Sequence, residues 1–446
     1  MLMVKKRILF GFLIVLTMLL MISLLNLNQG VFAQSLIPKI PEVEVKYGHA
    51  LTIDHTYAVI GMEKGWFEEL GIKILPEPYG KVLSPTERAA ALVSGSVDIV
   101  SGSAAALIPA LKQAPNLRFF VIADIFQGYA VLANPELGLK SYSEFIQEGF
   151  DKEEALRMTV EQFRGKKWTW EDVPQTFAFI QLVLSKANMT SKDVEGMPVP
   201  DAKTIDLMLP GHADLQTGTA IGRIMLEGKG FKPILTIGDV VGASTTEAGS
   251  LPREYEAIYF DGWNTTSDFW EKQHDTVLRM ASVCFRIIDF MKKNEDEALN
   301  IHVPFMNSVT GSNLTIEEGR IIYNSLDPFF TFEEQYDWYY DKNDPFYYTK
   351  EVEVKINMYV EKGLYEPNEI NVESIAINHL VYQELYDLKL KSEKTISDTK
   401  NLNTNNKSAE MIKQANELLQ KAEYFYNAYD FLDSYQFAKA AYDLLR

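Results

Sequence analysis

From Glu42 onward, short runs of β-branched and apolar residues alternate with longer stretches whose apolar positions recur every three or four residues. That alternation is the mark of an α/β chain with open, largely parallel sheets. The first set predicts strands over 43–47, 72–76, 97–100 and 118–123, separated by helices over 56–70, 85–94 and 104–113. A charged helical stretch over 141–164 intervenes. The second set predicts strands over 167–170, 197–199, 215–217 and 233–237, with helices over 176–187 and 202–209. Two such sets in one chain imply two lobes with a cleft between them.

From 267 to 301 the pattern is helical, and Val277, Met280, Ala281, Cys284, Ile287, Ile288 and Met291 form a core stripe at spacings of three and four. Residues 327–348 are crowded with Phe, Tyr and Trp, which read as cover for a core edge rather than as a pocket lining. Residues 390–407 turn to Ser, Thr, Asn and Lys and read as a linker. Beyond it, apolar positions from Ile412 to Tyr426 and from Phe431 to Leu444 predict an α-helical hairpin over 408–446, turned near 427–430. Such a hairpin is too small to bury its own face, so it needs the main body, a second copy or a partner protein.

The two ends and the overall charge narrow the setting. Lys5, Lys6 and Arg7 precede an apolar run from Ile8 to Leu25, and Val31-Phe32-Ala33 follows. Residues 1–33 therefore read as a cleaved signal peptide, with an N-terminal anchor as the alternative, because the run approaches the length that spans a bilayer. Either places the remaining residues outside the cytoplasm. The single cysteine, Cys284, permits no intrachain disulfide and sits in an apolar helical stretch as a small core residue. The formal charge of -18 argues against nucleic acid as a partner and mildly favours neutral or cationic solutes.

Several segments carry a family resemblance. Gly61-Met62-Glu63-Lys64-Gly65-Trp66-Phe67-Glu68-Glu69-Leu70-Gly71-Ile72 resembles the A-x-x-x-G-(YFW)-F-x-x-x-G-(LI) stretch near the start of nitrate, sulfonate, taurine and thiamine-precursor binding proteins of ABC transporters. Ala89 to Ile99 is similar to the "A-L-x-S-G-x-(VI)-D-(IV)" turn of that family, and Gly211-His212-Ala213-Asp214 to its later "G-x-(VA)-D" turn. Asp275-Thr276-Val277 and Asn294 to Ala298 resemble stretches of its closing helices. The resemblance covers roughly 42–380 and implies the type II periplasmic binding protein fold: two Rossmann-like lobes, a hinge and a central cleft. Lobe 1 would comprise 42–130 and 258–380, and lobe 2 would comprise 131–257. The helical stretch at 141–164, the aromatic segment and the hairpin depart from the family. So does Val173-Pro174-Gln175-Thr176, which replaces its usual Gly-Ser lead-in and leaves the ligand class open.

In open α/β sheets the loops at the carboxyl ends of strands converge on a crevice, where helix N-termini present unpaired backbone N–H groups. This rule nominates His55, Thr56 and Tyr57, then Gly80 and Lys81, then Ser101, Gly102 and Ser103 in the first lobe. In the second it nominates Gln175, Thr176 and Phe177 with Thr217, Gly218 and Thr219. Asp124, Gln127 and Trp263 lie near the expected crossings and would meet a ligand from the hinge. Thr56 and Thr176 serve equally as helix caps, and Trp263 equally as packing. Ser101-Gly102-Ser103 also stands where the family often has a small-residue loop that contacts ligand.

The resemblance implies an extracytoplasmic solute-binding component of an ABC importer. Its expected partners are a small polar organic molecule or oxyanion and a membrane permease. No cofactor, metal site or catalytic residue is expected: the six histidines form no H-E-x-x-H pair, and nucleophile-elbow and phosphate-loop motifs are missing from the sequence. The alternatives are an enzyme of the same fold acting on a small metabolite of thiamine-pyrimidine or menaquinone type, and a surface sensor or scaffold that uses the hairpin.

Overall fold

The computed structural model describes residues 37–84, 86–241 and 258–446. The leader, Pro85 and the stretch up to the expected second crossing at 257 lie outside the described residues. Along the chain the strands are β1 (Val43–His49), β2 (Ile72–Leu75), β3 (Lys81–Val82), β4 (Ile99–Ser101) and β5 (Leu117–Phe126). They continue with β6 (Ala130–Ala133), β7 (Lys167–Glu171), β8 (Glu195–Val199), β9 (Leu215–Thr217), β10 (Lys232–Thr236) and β11 (Tyr259–Thr266).

They form two sheets. One has six strands in the order β2-β1-β4-β11-β5, with β3 beside β1, and the other has five in the order β10-β6-β9-β7-β8. β1 is parallel to β2, β3 and β4, while β7 is parallel to β8 and β9. The chain leaves the first sheet after Phe126 and enters the second at Ala130. It returns between Val241 and Ile258 to place β11 antiparallel between β4 and β5.

The sequence pattern missed β6 and β11, each short or lacking alternation because both faces are covered: Ala130–Ala133 and Tyr259–Thr265 are buried throughout. β11 also corrects the placement of Trp263. It is a core residue in the middle of the strand, fully buried and stacked on Tyr57 with ring centroids 5.7 Å apart, and it does not reach a hinge surface.

Helix lengths differ where local chemistry interrupts them. The single helix expected over 56–70 is three short ones, Ile53–Thr56, Ala58–Glu63 and Trp66–Glu69. The last break falls at Gly65, whose φ of 70° favours a residue without a side chain. The helix expected over 104–113 reduces to one 3-10 turn, Ile108–Ala110, around Pro109, which has no N–H to donate. The long helix His274–Lys293 buries its predicted stripe, including Cys284, which sits 3.4 Å from the Tyr57 hydroxyl. The aromatic segment packs as a core edge. Phe332 stacks on Tyr382 at 4.4 Å and Phe260 on Trp338 at 5.8 Å.

Residues 42–384 and 385–446 belong to two compact units. The second corrects the linker expected over 390–407, because the helix Asn378–Lys400 continues to Lys400. Its polar composition is organised rather than loose: Lys389–Glu393 and Lys394–Asp398 pair one turn apart, and Ser392 is buried, its hydroxyl bonded to the Phe431 carbonyl at 3.2 Å. The hairpin helices Ala409–Asn427 and Phe431–Leu445 thus pack with a third helical segment. Ser408 and Asp430 cap their N-termini.

Gly262 sits where β11 and β5 shift register, and a Cβ there would overlap the Val121 carbonyl oxygen. Gly262→Ala is expected to destabilise residues 42–384 by roughly 3 kcal/mol, the scale of forced overpacking with backbone displacement. Urea denaturation followed by circular dichroism would show it as a lower midpoint.

Candidate binding cleft

Parallel strands that share a direction deliver their carboxyl ends to one edge, and the two sheets do so toward a common crevice. After β1 the chain gives Ala50, Thr52 and the helix carrying Asp54 and His55. Past β4 comes Ser103, and β7 ends on Glu171. The turn after β9 leads through Thr219 into the helix Ala220–Glu227. β11 runs the other way, so its first residues, Tyr259 and Asp261, reach the same edge. Asp327 is held there because its segment runs beside β5, with Ile125 N–H donating to the Pro328 carbonyl at 3.1 Å and Gln127 N–H to that of Leu326 at 2.9 Å. Together with Arg88, Phe126, Tyr129 and Gln175, these residues line a cavity of about 90 Å³. It adjoins a larger space of about 580 Å³ and shares Ala50, Thr52, Glu171, Thr219 and Ile221 with it.

The cavity wall is acidic. Asp54, Glu171, Asp261 and Asp327 all face it, and Asp124 lies behind, paired across the strands with Asp261. Arg88 is buried and already engaged, its Nη1 donating to His55 Nε2 at 2.9 Å and to the Ser101 carbonyl at 3.0 Å. Gly102 permits this, because a Cβ there would lie 2.7 Å from that nitrogen. Burial holds the His55 imidazole neutral, down to about 4, so with Nε2 accepting from Arg88 its proton sits on Nδ1, which has no hydrogen-bond partner. Lys355 lies over the Tyr259 ring at 3.6 Å.

Burial pushes the carboxyl groups the opposite way. Glu171 rises to about 8, chiefly by desolvation and then by the nearby Asp201, while Asp261 and Asp327 rise well above the usual range from desolvation and then from Asp54. Neither oxygen of Asp124 finds a hydrogen-bond partner, and neither does Oδ1 of Asp327. Ligating atoms of Asp54, His55 and Asp261 lie within 4.8 Å of one another, a spacing that suits a cation. The Arg88 guanidinium, however, already occupies the histidine nitrogen that faces both carboxylates, at 3.6 and 3.9 Å.

Of the residues nominated from sequence, His55, Ser103, Thr219 and Gln175 line the cavity. Ser101 and Gly102 stand behind Arg88. Thr56 instead bonds the Thr52 carbonyl at 2.8 Å and His302 at 2.7 Å, and Tyr57 packs in the core beside Cys284. Lys81 is exposed on β3, away from the cavity lining. Thr176 donates to the Tyr129 hydroxyl at 3.3 Å, Thr217 to the Ala130 carbonyl at 3.0 Å, and Gly218 lies against the Asp201 carboxylate. Asp124 is buried one layer down, and Gln127 marks the crossing. Sequence reasoning passed over Asp54, Arg88, Glu171, Asp261 and Asp327. Three of them left a signal: Arg88 is a charge on the apolar side of a helix, Asp261 a charge inside an apolar strand, and Glu171 the last residue of a parallel strand. Asp327 left none, because only its pairing beside β5 brings it to the cleft.

No protein-family model matches the chain, and no curated protein matches it in sequence. Solved structures do resemble its fold. A putative periplasmic sulfonate-binding protein of an ABC transporter from Methylobacillus flagellatus superposes with a TM-score of 0.53 at 13% identity, over 78% of this chain and 96% of that one. The periplasmic nitrate-binding protein of Synechocystis gives 0.52 at 14% identity, over 77% and 88%. The aliphatic sulphonate-binding protein of Escherichia coli gives 0.52 at 10%, over 75% and 91%. At these identities the likeness establishes the architecture: two mixed α/β lobes of periplasmic binding protein type.

The raised Glu171 has a signed consequence. Between its ordinary value near 4.5 and about 8 the folded chain holds a proton that the unfolded chain has lost, so its stabilising share is full below 4.5 and disappears as pH climbs through 8. The depressed His55 acts in reverse, its share being lost as pH falls from about 6.5 toward 4. Free protein is therefore expected to melt highest near pH 5 to 6. Glu171→Gln should exceed the parent at pH 8 by about 1 kcal/mol or more, since each pKa unit is worth about 1.4 kcal/mol, and match it near pH 5. Thermal unfolding of both proteins across that range checks it.

Proposed function

We propose that this chain is the extracytoplasmic solute-binding component of an ABC-type importer, and that its two lobes close on a small polar molecule. The observation that carries the reading is the cavity between the strand ends of two separate sheets, walled by polar groups from both, with a short crossing between the sheets at 127–129. Rotation about such a crossing changes the cleft without disturbing either sheet. Among the described residues no helix is long and apolar enough to cross a membrane, so the partner that moves the solute inward would be a separate permease. The structural neighbours support this direction because those named above are described as sulfonate- and nitrate-binding periplasmic proteins.

An enzyme of this fold is the second reading, and the site gives it little. Cys284 lies outside the cavity lining and burial pushes its thiol up to about 12, so it offers no thiolate. His55 is held neutral against a guanidinium instead of beside a nucleophile. Native mass spectrometry of the chain incubated with a metabolite mixture is expected to show one adduct at 1:1, released chemically unchanged on denaturation. Small-angle scattering should show a smaller radius of gyration in its presence. Release of an altered compound would favour the enzyme, and failure to form any adduct would overturn the binding reading.

A further inference from the structure

We infer that the solute this cleft selects is a small organic cation carrying an ammonium or guanidinium head, a proposal that rests on the solute-binding reading above. Carboxyl groups reach the cavity from both lobes: Asp54, Asp261 and Asp327 from the first and Glu171 from the second. The one guanidinium on the wall is held by His55 and the Ser101 carbonyl, so it is not presented to a guest.

Asp327 supplies an independent observation. It is 1% exposed, lines the cavity, and its Oδ1 accepts no hydrogen bond. A buried acceptor without a donor is costly, and a ligand that only donates would satisfy it. An oxyanion such as nitrate or a sulfonate only accepts, so it cannot satisfy that acceptor and would be held only by carboxyl groups that keep their protons.

The aromatic residues separate an organic cation from a metal ion. Phe126 and Tyr129 line the same cavity and meet edge to face at 4.6 Å, while the ring of Tyr259 already carries Lys355 over one face. Ring faces attract a poorly hydrated organic cation, whereas a divalent metal ion demands a close shell of oxygen or nitrogen ligands. Where Asp54, His55 and Asp261 converge, the histidine nitrogen that faces both carboxylates is already engaged by Arg88. The cavity of about 90 Å³ suits a cationic head, and the adjoining space, with Leu51, Leu83 and Met225 on its walls, suits an aliphatic tail.

Isothermal titration of the full chain with putrescine, agmatine, choline, ethanesulfonate, nitrate, zinc and calcium tests this. Saturable 1:1 binding is expected for at least one of the three organic cations. It should weaken at least tenfold in Asp327→Asn and in Glu171→Gln, each shown by circular dichroism and a cooperative melt to be folded. Binding of ethanesulfonate or nitrate with the organic cations ignored would overturn the cation assignment and leave the clamp standing. Binding of the metal ions alone, or undiminished cation binding in both folded variants, would overturn it as well. Silence toward every class would remove the clamp reading together with it.

Discussion

The constraint on which the rest of the molecule turns is the burial of several carboxyl groups around one gap, with the Arg88 guanidinium on its wall and the Lys355 ammonium beside Tyr259 to oppose them. Charges withdrawn from water without partners are expensive, and a protein answers by protonating them, pairing them or reserving them for a ligand. Arg88 answers for part of the set, with His55 Nε2 and the Ser101 carbonyl as its acceptors and a glycine required at 102. Asp124 and Asp327 are left with unpartnered oxygens. A fold that maximised the stability of its empty form would not keep them there, so the arrangement points to an occupant.

The architecture explains how residues from so many parts of the chain meet. β1, β4 and β7 run with their carboxyl ends toward the crevice, while β11 is inserted antiparallel and turns Asp261 to the same edge. The segment around Asp327 joins by pairing with β5. One wall of the cavity therefore belongs to the first sheet and the other to the second, and the crossing at 127–129 is the shortest covalent path between them. The proposed closure would change the gap between opposing acids while each separate sheet keeps its core packed.

Much of the fold was legible in the sequence, and the failures have physical causes. Alternation over Val43–His49 and Lys167–Glu171 marked strands because one face or one end meets solvent; β6 and β11, covered on both sides, carried no period. The stretch after Lys389 looked like a linker because composition hides spacing, yet Lys and acidic residues one turn apart hold it helical. At the site, the rule of strand ends found His55, Ser103 and Thr219. It overreached at Lys81, which stays on the surface, while of the two readings open for Trp263, hinge contact or packing, the return strand takes it into the core. The acids that define the cleft were harder to find, because a carboxylate in sequence reads as solvent-exposed until its burial is known.

Proton linkage tests the central claim most directly. Carboxyl groups held protonated by burial, with Glu171 near 8, must ionise when a positive charge arrives between the lobes. Calorimetric titration of the bound solute at pH 7, repeated in two buffers of different ionisation enthalpy, is predicted to show net release of protons on binding. Proton uptake, or heats independent of the buffer, would contradict the account.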